Sequence, residues 1–125
     1  MAGRILVVDD DPMIVRLLRL NLEMEGYEVT SATNGREAIE SVAGQRPDLV
    51  VMDVMMPIMN GLEATARLKK DESTADIPVI VLSAKAQDMD IAHGKGAGAD
   101  DYVTKPFDPE DLLEVIGRLL KRAKT

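Results

Sequence analysis

The residues best suited to chemistry in this 125-residue chain are acidic, and they lie directly after aliphatic runs. Asp9 and Asp10 follow the run Ile5 to Val8, and Asp53 follows Leu49 to Met52. Carboxylates gathered at one place resist joint ionisation. A hard divalent cation with oxygen ligands relieves that repulsion, and magnesium suits a site of one or two carboxylates that retains several waters. Two further groups hold comparable places: Ser83 directly after Val79 to Leu82, and Lys105 in Thr104-Lys105-Pro106-Phe107. A hydroxyl donates to a phosphoryl oxygen and an ammonium neutralises charge that builds up in transfer, so the set suits phosphoryl chemistry. Singly, each has a plainer reading as a solvated strand-end acid, a helix cap or a surface lysine. Convergence would change their meaning, and convergence depends on the fold.

Short apolar runs alternate with longer stretches of helical period, without internal repeats, low-complexity segments or extended Pro/Gly linkers. Such alternation predicts βαβ units and a parallel sheet. Ile5 to Val8, Leu49 to Met52 and Val79 to Leu82 are almost wholly aliphatic, as strands covered on both faces must be. Glu28 to Ala32 alternates with polar residues, and Asp101 to Val103 is short and begins on a charge, so these two belong at the edges. Right-handed crossovers then predict an α/β fold: one doubly wound, five-stranded parallel sheet of order 2-1-3-4-5, flavodoxin-like, with five helices. The winding reverses between the first and third strands, where such sheets place their ligands beyond the carboxyl ends. Asp9, Asp10 and Asp53 fall there.

The helix starts are marked by chemistry. Asp11-Pro12 and Asp108-Pro109 read as an N-cap followed by a first-turn proline, and Asn34-Gly35 as a turn entering the second helix. Ile14, Leu17, Leu18 and Leu22 share one helical face, as do Leu112, Val115, Ile116 and Leu119. A third helix is expected from about Gly61 to Lys70. The fourth, near Asp88 to Ala97, contains Gly94 and Gly96, each costing roughly 1 kcal/mol against Ala, and is expected to be loose.

Composition removes several classes of function. With 22 acidic against 15 basic residues the net charge is −7, and no Lys/Arg stripe with interleaved aromatics occurs, so direct nucleic-acid binding is not expected. The basic ending Lys121-Arg122-Ala123-Lys124 follows a helical pattern and complements its dipole. The absence of cysteine excludes a disulfide framework and a thiolate metal site. The first apolar run is too short for a signal peptide or a membrane span, which points to a cytoplasmic chain with no membrane association. One domain over residues 1–125, with no output domain, is the expectation. The single histidine, His93, stands among glycines and reads as solvent-exposed, so a phosphoryl donor has to be external.

The stretches Ile5-Leu6-Val7-Val8-Asp9-Asp10, Met52-Asp53-Val54-Met55-Met56-Pro57 through Asn60-Gly61, and Gly98 through Phe107 resemble the receiver domain of two-component response regulators along essentially the whole chain. The resemblance implies that Asp53 attacks the phosphorus of a phosphohistidine on a histidine kinase or histidine phosphotransfer protein, giving an aspartyl phosphate later cleared by hydrolysis. It implies Asp10, Asp53 and the backbone carbonyl of Met55 as direct magnesium ligands, with manganese as a substitute ion and Asp9 acting indirectly. The run of three aspartates leaves a one-residue ambiguity, resolved by giving Asp11 to the helix cap. Ser83 and Lys105 are then the phosphoryl contacts, and Ser83 with Tyr102 the moving pair. The surface of the fourth helix, fifth strand and fifth helix would change its affinity for an unidentified effector. Members often carry a cis bond where Lys105-Pro106 stands. The resemblance further implies a monomer or a weak phosphorylation-dependent dimer, and no enzyme activity beyond its own phosphoryl transfer and slow autodephosphorylation.

Met55, Met56 and Met59 read as adaptable packing beside Pro57 rather than as a soft-metal site. Two alternatives remain. A magnesium-dependent phosphohydrolase also places a nucleophilic aspartate after a parallel strand, but Met55 stands where its second acid belongs. A receiver-like domain that binds protein partners without phosphorylation is the other.

Overall fold

Aliphatic residues that must be covered on both sides form the middle of the sheet. In the computed structural model, which describes residues 3–84 and 98–123, these are β1 (Arg4–Val8), β3 (Leu49–Asp53) and β4 (Val79–Ser83). The more polar β2 (Glu28–Ala32) and β5 (Asp101–Thr104) take the edges. All four pairings are parallel and the order is β2-β1-β3-β4-β5, as the patterning predicts. The helices are α1 (Pro12–Met24), α2 (Gly35–Gly44), α3 (Gly61–Lys70) and the C-terminal α4 (Pro109–Ala123). The helix expected near residues 88 to 97, with His93, Gly94 and Gly96, lies outside the described residues. None of the helices among the described residues is long and apolar enough to cross a membrane.

Alternation along each strand splits the core in two. Ile5, Val7, Val51 and Ile80 point toward α1 and α4, meeting Leu18, Leu22, Leu112 and Ile116. Leu6, Val8, Met52 and Val81 point the other way, toward Ala38 and Val42 of α2 and Ala64 and Leu68 of α3. Each fully buried aliphatic side chain contributes roughly 1.5–3 kcal/mol, and this double burial fixes the strand register. Leu17 departs from expectation: it is exposed while Leu18 and Leu22 are buried. Because α1 is apolar around most of its circumference, its sequence does not settle which stripe faces the sheet.

Asp11 and Asp108 cap their helices as expected, and Asn34, expected as a turn residue, caps α2. Asp11 accepts from the Met13 N–H (2.9 Å), Asn34 from Glu37 N–H (2.9 Å) and Asp108 from Glu110 N–H (2.9 Å). At the amino end of the sheet, Lys69 donates to Ala75 O (3.1 Å), Ile77 O (2.7 Å) and Asp100 Oδ2 (2.6 Å). Asp100 also accepts from Val79 N–H (2.8 Å), so this hub ties α3 to the entrances of β4 and β5.

The open edge of β2 is partly closed. Glu28 N–H donates to Gly3 O and Ala32 O accepts from Asp9 N–H, so the backbone groups of Val29 and Ser31 face outward. Arg19 of α1 reaches over this edge, donating to Val29 O (3.2 Å) and lying 3.5 Å from Ser31 Oγ.

Candidate functional site

Register carries the acidic residues to one place. Val8 pairs with Met52, Asp53 with Leu82 and Ser83 with Thr104, so Asp9, Asp53, Ser83 and Lys105 all emerge at the same end of adjacent strands. Oxygen atoms of Asp9, Asp10 and Asp53 lie within 4.8 Å of one another. Asp9 and Asp53 are only 2% and 5% exposed, whereas Asp10 opens to solvent. The Lys105 ammonium lies 2.7 Å from Asp53 Oδ1 and 3.2 Å from Asp9 Oδ2. Asp9 Oδ1 also accepts from the Asp11 N–H (2.9 Å), which separates the three consecutive aspartates by environment: Asp9 is buried, Asp10 open and Asp11 a cap.

The electrostatics are unbalanced. Burial pushes the Asp53 carboxyl above its ordinary range; the Lys105 hydrogen bond pulls it back, and the negative charges of Asp9 and Asp10 push it up again. Burial alone would lower Lys105, but the hydrogen bond and charge of Asp53, then Asp9, outweigh it and hold the ammonium above its ordinary value. One cation thus serves two buried carboxylates with a third alongside. The donor set is all oxygen and carries excess negative charge, which fits a hard divalent cation.

The backbone around Asp53 is held closely. A Cβ at Gly61 would lie 1.9 Å from the Asp53 carbonyl oxygen, so only glycine lets α3 start there. Asn60 caps that helix through Glu63 N–H (2.9 Å), and Gly61 N–H donates to Val54 O (3.0 Å). Gly35 N–H donates to Met59 O (2.9 Å), tying the loop after Asp53 to the start of α2. Within this loop Ile58 has φ 69°, a conformation strained for a β-branched residue, and Met59 N–H closes a tight turn onto Pro57 O (2.7 Å). Met56 and Met59 pack on the core as expected, but Met55 does not: its side chain is exposed, as is that of Ile58.

Ser83 is buried at the end of β4, and its carbonyl accepts from Lys105 N–H (2.9 Å). The Lys105-Pro106 bond is cis. Tyr102 is buried on the α2/α3 side of the sheet, with its hydroxyl 3.5 Å from Ser83 O. Asn60-Gly61 was visible as a motif, but nothing local in the sequence signals that its glycine sits against the carbonyl of Asp53.

Residues 5–117 match the family model described as the response regulator receiver domain. The chain is 46% identical over 119 residues to the DNA-binding dual master transcriptional regulator RpaA of a Synechocystis species, covering 95% of this chain and 49% of RpaA. It is 44% identical over 118 residues to Protein PilH of Pseudomonas aeruginosa, covering 94% of this chain and 98% of PilH. Among solved structures, the chemotaxis response regulator CheY4 of Vibrio cholerae superposes with a TM-score of 0.86 at 32% identity, covering 95% of this chain and 99% of CheY4. The chain spans about half the length of most of the curated relatives it matches.

Proposed function

The chain belongs to the response regulator receiver domain family, the phosphoacceptor switches of two-component systems, and from that premise we propose that Asp53 is the residue that takes the phosphoryl group. One observation carries the assignment: Asp53 is the buried carboxylate at the centre of the pocket, held by Lys105 and flanked by Asp9 and Asp10. An Asp53 carboxylate oxygen attacks phosphorus, the bond from phosphorus to the donor's imidazole nitrogen breaks, and the imidazole leaves. The donor is a histidine kinase or histidine phosphotransfer protein. Asp10, Asp53 and the Met55 carbonyl would hold magnesium directly and Asp9 indirectly; when bound, the ion neutralises charge on the phosphoryl oxygens. Lys105 follows the charge from the carboxylate to the phosphoryl group, and the Ser83 hydroxyl donates to it. Only contacts that differ between the two states can shift the conformation. Ser83 and Tyr102, joined through β4 and β5, transmit that difference to the surface formed by the fourth predicted helix, β5 and α4, where an effector binds. Nothing beyond this transfer and its slow hydrolysis is catalysed.

Incubation with magnesium and a phosphorylated kinase, followed by intact-protein mass measurement, tests the assignment. The wild-type chain gains one phosphoryl group and Asp53→Asn gains none. Uptake by Asp53→Asn at the wild-type rate would remove Asp53 from the mechanism. Failure of the wild type to bind beryllofluoride with magnesium would favour a phosphorylation-independent binding domain.

A further inference from the structure

Residues 54–60 join β3 to α3, and the Met55 carbonyl read above as a metal ligand lies among them. The ends of this loop are fixed, since Val54 N–H donates to Leu82 O (3.1 Å) and Val54 O accepts from Gly61 N–H (3.0 Å). Its middle is not. Met55, Pro57 and Ile58 are exposed, Ile58 sits at φ 69°, and the turn from Met59 N–H to Pro57 O closes within the loop itself. Among the described residues, Met55 to Met59 have a single backbone hydrogen bond to any other part of the fold: Met59 O accepts from Gly35 N–H (2.9 Å).

Gly35 opens α2, so its N–H is one of the amides that find no partner inside a helix. Around it the start of α2 is firmly built. Asn34 accepts from Glu37 N–H (2.9 Å), and the Glu37 carboxylate accepts in turn from Thr33 N–H (2.9 Å) and the Thr33 hydroxyl (2.8 Å). Asn34 and Gly35 are both buried. A Cβ at Gly35 would lie 2.7 Å from Met59 O, 2.9 Å from Ala64 Cβ and 3.0 Å from Asn60 O. Two of these atoms are backbone oxygens of the loop, which would have to move away. Beginning a helix does not call for glycine, because alanine is the better helix former. Approach to the loop does.

We propose that Gly35 is a positioning residue for the metal-dependent phosphoryl transfer: it lets the start of α2 hold Met59 O and thereby keeps the turn in the shape in which the Met55 carbonyl serves the cation. The inference rests on Met55 as a ligand, as read above. A ligand carbonyl in an exposed turn loses conformational freedom when it takes up an ion, and a tether that orders the turn beforehand removes that cost from binding. Loosening the tether lowers ion affinity and leaves the filled site unchanged. By linkage, ion binding tightens the tether by the same factor.

Magnesium titration of the chain, followed by amide NMR shifts, tests this together with the rate of phosphoryl uptake from phosphoramidate. Gly35→Ala raises the magnesium dissociation constant about tenfold, while its uptake rate at saturating magnesium stays within about twofold of the wild type. Lys69→Met, which weakens the opposite end of the sheet, leaves the dissociation constant unchanged, so a general loss of stability does not mimic the effect. In the wild type, saturating magnesium slows hydrogen exchange of the Gly35 amide about tenfold, and by more than it slows the Val79 amide at the far end of β4. Unchanged magnesium affinity in folded Gly35→Ala would overturn the proposal, as would a Gly35 amide that gains no more protection than Val79. If Gly35→Ala does not fold, the wild-type exchange measurement decides alone. A wild-type chain that binds no magnesium would instead remove the metal site itself, and the role of Gly35 with it.

Discussion

At the amino end of the sheet Lys69 places its ammonium among three oxygens, and its partner Asp100 takes a second hydrogen bond from Val79. At the carboxyl end Lys105 is shared between Asp53 and Asp9, with Asp10 adding a further negative charge. The same residue type thus closes one network and leaves the other with surplus charge. Beside the surplus lies a loop with Ile58 at positive φ and two exposed apolar side chains, Met55 and Ile58. The difference teaches where this domain keeps its reserve of stability. Sites that must accept an incoming charged group hold strain and unneutralised charge, and the rest of the fold offsets the cost.

The contrast is sharpest in what mutation should do. Replacing Lys69 with Met keeps most of the stem but removes the donor from two carbonyls and one carboxylate, at a cost of about 2–3 kcal/mol. Urea unfolding should show the loss while phosphoryl uptake persists. A loss below about 0.5 kcal/mol would mean that the amino end is not the anchor.

The opposite sign is expected at Asp53. Its carboxyl titrates above the ordinary range in the fold, chiefly because of burial, so its stabilising contribution is present below the unfolded-state value and is lost as pH rises through the folded-state value. Asp53→Asn should therefore match the wild type at acidic pH and gain on it as pH rises toward neutrality. The gain should show as a higher Tm for the variant at neutral pH and should level off once the wild-type carboxyl is fully ionised. Paired melting curves from pH 4 to 8 measure it, without added divalent ion. A variant less stable than wild type at neutral pH would show that the Lys105 attraction outweighs burial and repulsion.

The smallest effect concerns Ile58. Glycine relieves the positive φ but loosens the unfolded chain, leaving a net gain of about 0.5 kcal/mol. Destabilisation by more than about 1 kcal/mol in thermal unfolding would show that the side chain, 77% exposed, has a packing role the strain argument omits.

Much of this was legible in the chain. Strand order follows from which runs are wholly aliphatic, and the position of the site follows from that order, since Asp9 directly follows β1 and Asp53 ends β3 on either side of the reversal. The caps at Asp11 and Asp108 are local and read correctly, and Asn34, read as a turn into the second helix, is the cap of that helix. What stayed hidden depends on distance or on excess. The Lys69–Asp100 pair spans 31 positions, and no local pattern announces it. Leu17 was placed with Leu18 and Leu22 although α1 has more apolar residues than one face can bury, and Met55 was assigned to packing because its exposure follows from a turn geometry that composition does not encode.

The guanidinium of Arg19 over the edge of β2 has a bearing on how the protein behaves when crowded. An exposed edge offers free carbonyls and amides to any extended segment, and strand-by-strand growth from such an edge leads to insoluble fibres. By taking Val29 O, Arg19 removes one acceptor from that template and sets a positive charge across it. With that acceptor occupied and a cation lying across it, the edge of β2 is a poorer template for an added strand than its sequence alone would make it.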